Sequence, residues 1–139
     1  MIERTLSMIK PDAVHDGHIG DILHRFEVEG LKIVGLKMLQ LKRETAEAFY
    51  EEHQGKDFFE RLIVFMTAGP MCAIVLEGED VIGRYRTLMG STDPKKAAEG
   101  TLRHLYAENV TINAVHGSDS TQSASREIAF FFPEGTVCD

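Results

Sequence analysis

Three short apolar runs, each ended by glycine or proline, set the limits on how this chain can fold. Arg4 to Ile9 reads as a buried strand stopped by Lys10-Pro11-Asp12, because proline has no N–H for a ladder and restricts the residue before it. Leu31 to Leu41 places Leu31, Ile33, Leu39 and Leu41 on one face, with Gly35 marking a bend or bulge. Pro70 to Leu76 is the third run, closed by Gly78. Helical spacing fills the gaps. Ile19, Ile22, Leu23 and Phe26 share a face with Gly30 as the C-terminal cap, and Arg43–His53 and Asp57–Met66 form a helical hairpin around Gly55. Asp80–Met89 is helical, Gly90–Gly100 is irregular apart from a turn at Lys95–Glu99, and Thr101–Ala107 is a short helix. SASREIAFFFP fits a helix entered at Ser120 or Thr121 and ended before Pro133. FFF alone fits a strand equally well, and the shared face of Ala124, Ile128, Phe131 and Phe132 favours the helix.

Strand, helix, strand, helices, strand, helices is an α+β order. It predicts a ferredoxin-like, split βαβ sandwich: a small antiparallel sheet with helices packed on one face. At 139 residues the chain has the size of one domain, 1–139, able to bury a core without metal or disulfide staples. Fifteen Lys and Arg against 22 Asp and Glu give −7, which argues against nucleic-acid or anionic-membrane binding. Any anion site must therefore be local. Cys72, inside MCAIVL, and Cys138, near the C-terminus, form no disulfide framework and fit the reducing cytoplasm. MIERTLSMIKPD is too charged for a secretory signal, and no apolar run approaches the roughly 20 residues of a spanning helix.

The stretch NAVHGSDS, Asn113 to Ser120, crowds polar groups around a histidine. Gly117 removes a Cβ beside the imidazole and frees the backbone, Ser118 has a hydroxyl for a developing oxygen charge, and Asp119 and Ser120 can cap the following helix. Glu127, two turns into that helix, is placed to reach back. A carboxylate on one ring nitrogen would fix the tautomer and leave the other free to attack. Alone, His-Gly-Ser also fits a plain turn. DAVHDGH gathers Asp12, His15, Asp16 and His18, which fit a solvated loop better than a metal site, and His24, His53 and His104 fit surface positions.

NAVHGSD resembles the active-site signature of nucleoside diphosphate kinases. ERTLSMIKPDAV, FYEEHQGKDFF, GPMCAIVLEG, RTLMGSTDP and EGTLR resemble further blocks of that family in the same order, so the resemblance runs from Ile2 to about Pro133. It implies transfer of a terminal phosphoryl group from a nucleoside triphosphate to a diphosphate through phosphorylated His116. On the matching positions, Glu127 and Ser118 would orient and support the imidazole, and Lys10 would meet phosphate and ribose oxygens. Tyr50 would lie beside the transferring phosphate, Arg86, Thr92 and Arg103 would clamp phosphates, and Asn113 would bond the sugar hydroxyl. Phe58 and Val110 would hold the base between them, a grip by contact area that accepts purine and pyrimidine alike.

Lys10, Arg86 and Arg103 suit this chemistry, because a phosphoryl group in flight needs positioned donors, and each arginine can fork N–H groups onto phosphate. Mg2+ is expected on the nucleotide phosphates, with no protein metal ligand. The resemblance also implies a homo-oligomer built from dimers. Two departures stand out: Glu99 where many members carry proline, and the tail EGTVCD, which matches nothing. Ordinary roles fit several of these residues too, such as an N-cap for Thr92, a wetted helix-face ring for Tyr50, a core pair for Phe58 and Phe59, and solvated charges for Arg86 and Glu127.

Overall fold

An unbroken apolar run needs cover on both faces of a strand, and Met71–Glu79 (β3) has it. The structure, a computed structural model, describes residues 2–138. Cys72, Ile74 and Leu76 point into one core, while Met71, Ala73 and Val75 point into a second. β3 runs antiparallel to Ile2–Ile9 (β1) over its full length, with Leu6 opposite Val75. Lys32–Leu39 (β2) flanks its other side, and Val115–Gly117 (β4) pairs with the outer side of β1, giving the order β2-β3-β1-β4. Since β1 and β2 are parallel with β3 between them, this is the expected split, antiparallel ferredoxin-like arrangement.

Helices cover both faces of the sheet, which corrects the one-face expectation. Ile19–Val28 (α2) and Val81–Met89 (α5) lie on the first core. Arg43–Phe49 (α3), Phe59–Met66 (α4) and the Phe131 end of Thr121–Phe131 (α7) lie on the second. Ile22 and Phe26 of α2 are fully buried, each removal from water contributing about 1.5–3 kcal/mol. Phe26 meets the edge of Tyr85 with ring centroids 5.3 Å apart.

Several local rules act differently from the sequence expectation. Pro11 stops β1 and also opens a short helix, Pro11–His15 (α1), because a missing N–H is harmless at the first helical position. Gly78 lies inside β3, opposite Glu3, and does not close it. The first arm of the helical hairpin breaks at Tyr50 into a 3₁₀ turn, Glu51–His53. β2 carries the bulge, between Ile33 and Gly35. It turns Ile33 to the first core and Val34 to the second, replacing the single face expected, and a Cβ on Gly35 would stand 3.1 Å from both Phe132 and Val75. The short helix Leu102–Tyr106 (α6) is capped by the Thr101 hydroxyl, which accepts from His104 N. α7 opens with a capping box between Ser120 and Ser123 and carries Phe130 and Phe131 as helix.

β4 falls in what reads as a turn. With three residues it is too short for a period-two pattern, and only its pairing with β1 makes it a strand. Gly117 has no left-handed φ, so backbone freedom is not its reason. A Cβ there would meet Met89 Cε at 2.6 Å and the Tyr85 ring at 2.8 Å. The Met89 tip can move, but the Tyr85 ring is fixed by Ser7 Oγ at 2.7 Å and by its own donation to the His116 carbonyl at 3.0 Å. Gly117→Ala is therefore expected to lower unfolding stability by about 1–3 kcal/mol, read as a fall in the urea midpoint at unchanged slope.

Candidate functional site

The β1–β4 pairing joins distant parts of the chain. Met8 faces His116, Ile9 faces Val115, and Lys10 N donates to the Ala114 carbonyl at 2.8 Å. Beside this junction opens a cleft of about 540 Å³. Of the expected residues, Lys10, Tyr50, Phe58, Arg86, Thr92, Val110, His116 and Glu127 line it. Ser118, Asn113 and Arg103 do not line it; Ser118 is bonded to Glu127 and Asn113 to Lys10, which do.

The Leu6 amide donates to Ser118 Oγ at 3.2 Å, so the serine's own hydrogen is free to go to Glu127 Oε1, 2.9 Å away. The same carboxylate oxygen lies 2.7 Å from His116 Nε2. An acceptor there gives Nε2 the ring hydrogen, leaving Nδ1 unprotonated and without a hydrogen bond among the described residues. Ser118 is 1% exposed and its hydroxyl serves Glu127, so it does not face a developing oxygen charge as its place in the sequence suggests. Glu127 comes from the inward face of α7, on the stripe shared by Ala124 and Phe131. A glutamate on an apolar stripe costs desolvation unless it finds partners, and His116 and Ser118 are those partners.

Lys10 is 6% exposed, and its Nζ donates to Asn113 Oδ1 at 2.8 Å. Burial first, then the nearby Arg103 charge, lowers its pKa to about 8, with Asp12 opposing. Arg103 donates through Nη1 to the Gly90 carbonyl at 3.1 Å and through Nη2 to the Val115 carbonyl at 3.0 Å. Its fork is thus partly committed to the backbone, which qualifies the free bidentate clamp expected of it, and burial holds its pKa below the ordinary arginine value. Arg86 and Thr92 are exposed at the cleft. Tyr50 Oη is buried without a hydrogen-bond partner among the described residues, and burial, with Glu127 nearby, pushes its pKa upward.

Phe58 and Val110 face the cleft from the N-cap of α4 and from the loop before β4. Asn109 Oδ1 accepts from Thr111 N and Ile112 N, both at 2.9 Å, folding that loop so that Val110 is left 54% exposed at its tip. Phe59 packs with Phe58 against the second core but does not line the cleft. The cleft also contains residues the sequence reading passed over. Arg61 and Leu62 lie three and four positions after Phe58, a helical spacing that signals a shared face, and Arg61 Nε donates to Thr111 Oγ1 at 3.4 Å across the gap. His53, expected at the surface, is half-buried and stacks near Tyr50 and Phe58; His24 and His104 are exposed. In DAVHDGH, His15 and Asp16 are exposed, while Asp12 Oδ2 accepts the Ala114 N–H at 3.1 Å and burial raises its pKa.

Comparison with known proteins agrees with this geometry. The family model described as nucleoside diphosphate kinase matches residues 3–137. Nucleoside diphosphate kinase 2 of Protochlamydia amoebophila (strain UWE25) is 56% identical over 137 residues, which cover 99% of this chain and 96% of that protein. The nucleoside diphosphate kinase of Aquifex aeolicus superposes with a TM-score of 0.96 at 43% identity, covering 99% of both chains. A halophilic nucleoside diphosphate kinase from Halobacterium salinarum, in complex with CDP, gives 0.96 at 45% identity, covering 100% of this chain and 93% of its own. No helix among the described residues is long and apolar enough to cross a membrane. With a match along nearly its whole length, the chain belongs to the nucleoside diphosphate kinase family and is a nucleotide phosphotransferase.

Proposed function

We propose that this enzyme works by ping-pong transfer through His116. The observation that carries the reading is the 2.7 Å contact of Nε2 with Glu127, which leaves Nδ1 as the free nucleophile beside a cationic cleft. Nδ1 attacks the terminal phosphorus of a nucleoside triphosphate, the bond to the bridging oxygen breaks, and the diphosphate departs. A second diphosphate then attacks the same phosphorus, and the N–P bond breaks. Nε2–H stays on Glu127 throughout, so the carboxylate orients the ring and stabilises the charge it gains without accepting its proton. Ser118 holds Glu127 in turn.

Lys10, Arg86, Arg103 and Thr92 are read as the phosphate site, where fixed donors stabilise charge spread over the phosphoryl oxygens. Tyr50 Oη, buried without a partner, is a donor for the transferring group. Asn113, held against Lys10, is read as the contact of the sugar hydroxyl. The substrate is the magnesium complex of the nucleotide. The phosphates carry the ion, as suits a hard cation that keeps much of its hydration, and Glu127 is engaged by His116 and Ser118.

Phe58 and Val110 grip the base by area, so purines and pyrimidines are both accepted; the CDP bound by the Halobacterium salinarum relative supports the pyrimidine half. The chain is read as one domain working in the cytoplasm as a homo-oligomer built from dimers. Support for assembly is β2 as an edge strand, touched by the Cys138 N–H at the Val34 carbonyl, with Leu36 and Met38 52% and 57% exposed farther along it.

Incubation with γ-labelled ATP and magnesium is expected to give an acid-labile, base-stable label on the protein that unlabelled GDP removes as GTP. His116→Ala should bind nucleotide and take no label; a variant that labels normally would overturn the assignment. Glu127→Ala should slow labelling on the order of 10²-fold, less than the about 10⁴ seen where the histidine must also carry a proton. Rapid-quench labelling checks this.

Lys10 generates a pH prediction. Its folded pKa of about 8 lies below the ordinary 10.5, so between these values the unfolded chain holds more protons on this residue than the folded one. Stability from this group consequently rises with pH across that window and is lowest below it. Phosphate beside Nζ favours the ammonium form, and nucleotide binding at about pH 8.5 should take up a proton. Titration calorimetry in buffers of different ionisation enthalpy should show that uptake, and Lys10→Met should abolish it.

A further inference from the structure

Asp12 reaches across 102 residues of sequence to a backbone position that needs help. Its Oδ2 accepts the Ala114 N–H at 3.1 Å, and Ala114 is held at φ 73, in the left-handed region that an alanine seldom adopts. The Ala114 carbonyl accepts from Lys10 N at 2.8 Å, so α1 and the end of β1 grip both polar groups of this peptide turn. On one side of the turn stands Asn113, whose Oδ1 accepts from Lys10 Nζ; on the other, Val115 opens β4 and leads to His116. A strained backbone persists only where its surroundings over-determine it: the turn closes on itself through Val115 N to the Asn113 carbonyl at 2.8 Å, and Lys10 and Asp12 hold the polar groups of Ala114 from outside.

We propose that Asp12 is a positioning residue for nucleotide binding: by holding the Ala114 N–H it fixes the left-handed turn that presents Asn113 to Lys10 and to the nucleotide sugar. The inference rests on the proposed roles of Lys10 and Asn113. His116 itself is fixed separately, by the β1 ladder opposite Met8 and by Glu127, so Asp12 acts on nucleotide affinity and leaves the imidazole's reactivity alone. A different role, that of an acid in the first turn of α1, would affect stability without singling out the nucleotide.

The test combines Asp12→Ala, Ala114→Gly and the double variant. Each is measured for nucleoside diphosphate KM and for phosphorylation of His116 by phosphoramidate, a donor with neither sugar nor base. Asp12→Ala should raise KM about tenfold, the effect of one lost charge-assisted hydrogen bond, with the phosphoramidate rate within about twofold of the parent. Ala114→Gly takes φ near 73 without a Cβ penalty, so it should recover most of that loss in the double variant and change the parent little. Asp12→Asn keeps an oxygen able to accept from Ala114 N and should stay within about threefold of the parent.

An unchanged KM in Asp12→Ala would overturn the proposal. So would equal loss with both donors, an equal effect of Ala114→Gly in both backgrounds, or a defect in Asp12→Asn as large as in Asp12→Ala. If phosphoramidate fails to label the parent at His116, the phosphohistidine reading fails instead. Diphosphate dissociation constants of the same four variants then decide the role of Asp12, by the same pattern.

Discussion

The ladder between β1 and β4 is the constraint from which the site follows. It spans only Ser7 to Ile9 against Val115 to Gly117, yet it brings the lysine that ends the first strand next to a histidine near the end of the chain. Backbone hydrogen bonds do this better than side-chain contacts could, because they fix register and direction together. β1 is in turn immobilised by β3 on its other edge and by buried side chains on both faces, with Leu6, Met8 and Ile9 all at 0% exposure. Groups borrowed from such an element inherit its rigidity, which suits the transfer proposed for them.

An acidic chain that handles polyanions has to solve a problem of local field. Its carboxylates are mostly on the surface, where screening over roughly 8 Å at physiological salt limits their reach. Lys10 and Arg103 are buried at the cleft, where screening is weak, and Arg86 and Arg61 stand at its mouth. Burial lowers the proton affinity of both buried cations, the Arg103 charge lowers that of Lys10 further, and Asp12 offsets only part of this for Lys10. Arg103 is kept from collapsing onto a carboxylate by its bonds to the carbonyls of Gly90 and Val115. Positive potential is thereby kept available for a ligand.

Much of this was legible from local rules. Strand punctuation gave β1, β2 and β3, the glycine in LKIVGLKMLQL gave the bulge, and Ser120 with the Ala124 face gave α7 over a competing strand. The covered second face was also written in the sequence, as the absence of polar alternation in MCAIVL, whereas the order of strands and helices says nothing of which face each helix takes. β4 was not legible, since three residues carry no period, nor was α1, where a proline serves both as strand stop and helix start. Among site residues, those carried by the family signature lie together; Arg61 joins the cleft through a helix phase readable from its spacing after Phe58, whereas Thr111 and His53 join it through loop closure that only three dimensions reveal. The role of Gly117 was misread because its neighbour in space, Tyr85, is 32 residues away in sequence.

The free enzyme carries its site at the expense of stability. A buried lysine with a depressed pKa, an alanine in a left-handed turn, a tyrosine hydroxyl and an arginine Nε without partners among the described residues, and a glutamate on an apolar helix stripe are each unfavourable, and all cluster at one end of β1. Elsewhere the interior is mostly apolar, with Thr5 and Ser7 of β1 as buried polar groups, Ser7 paired with Tyr85. Such a distribution is what preorganisation requires: dipoles and charges fixed in place before the phosphate arrives, so that binding supplies the missing partners while little reorganisation is left for the transfer step. The doubly covered sheet makes that arrangement tolerable, because its two cores stabilise a scaffold on which a few destabilising groups can be held at an edge.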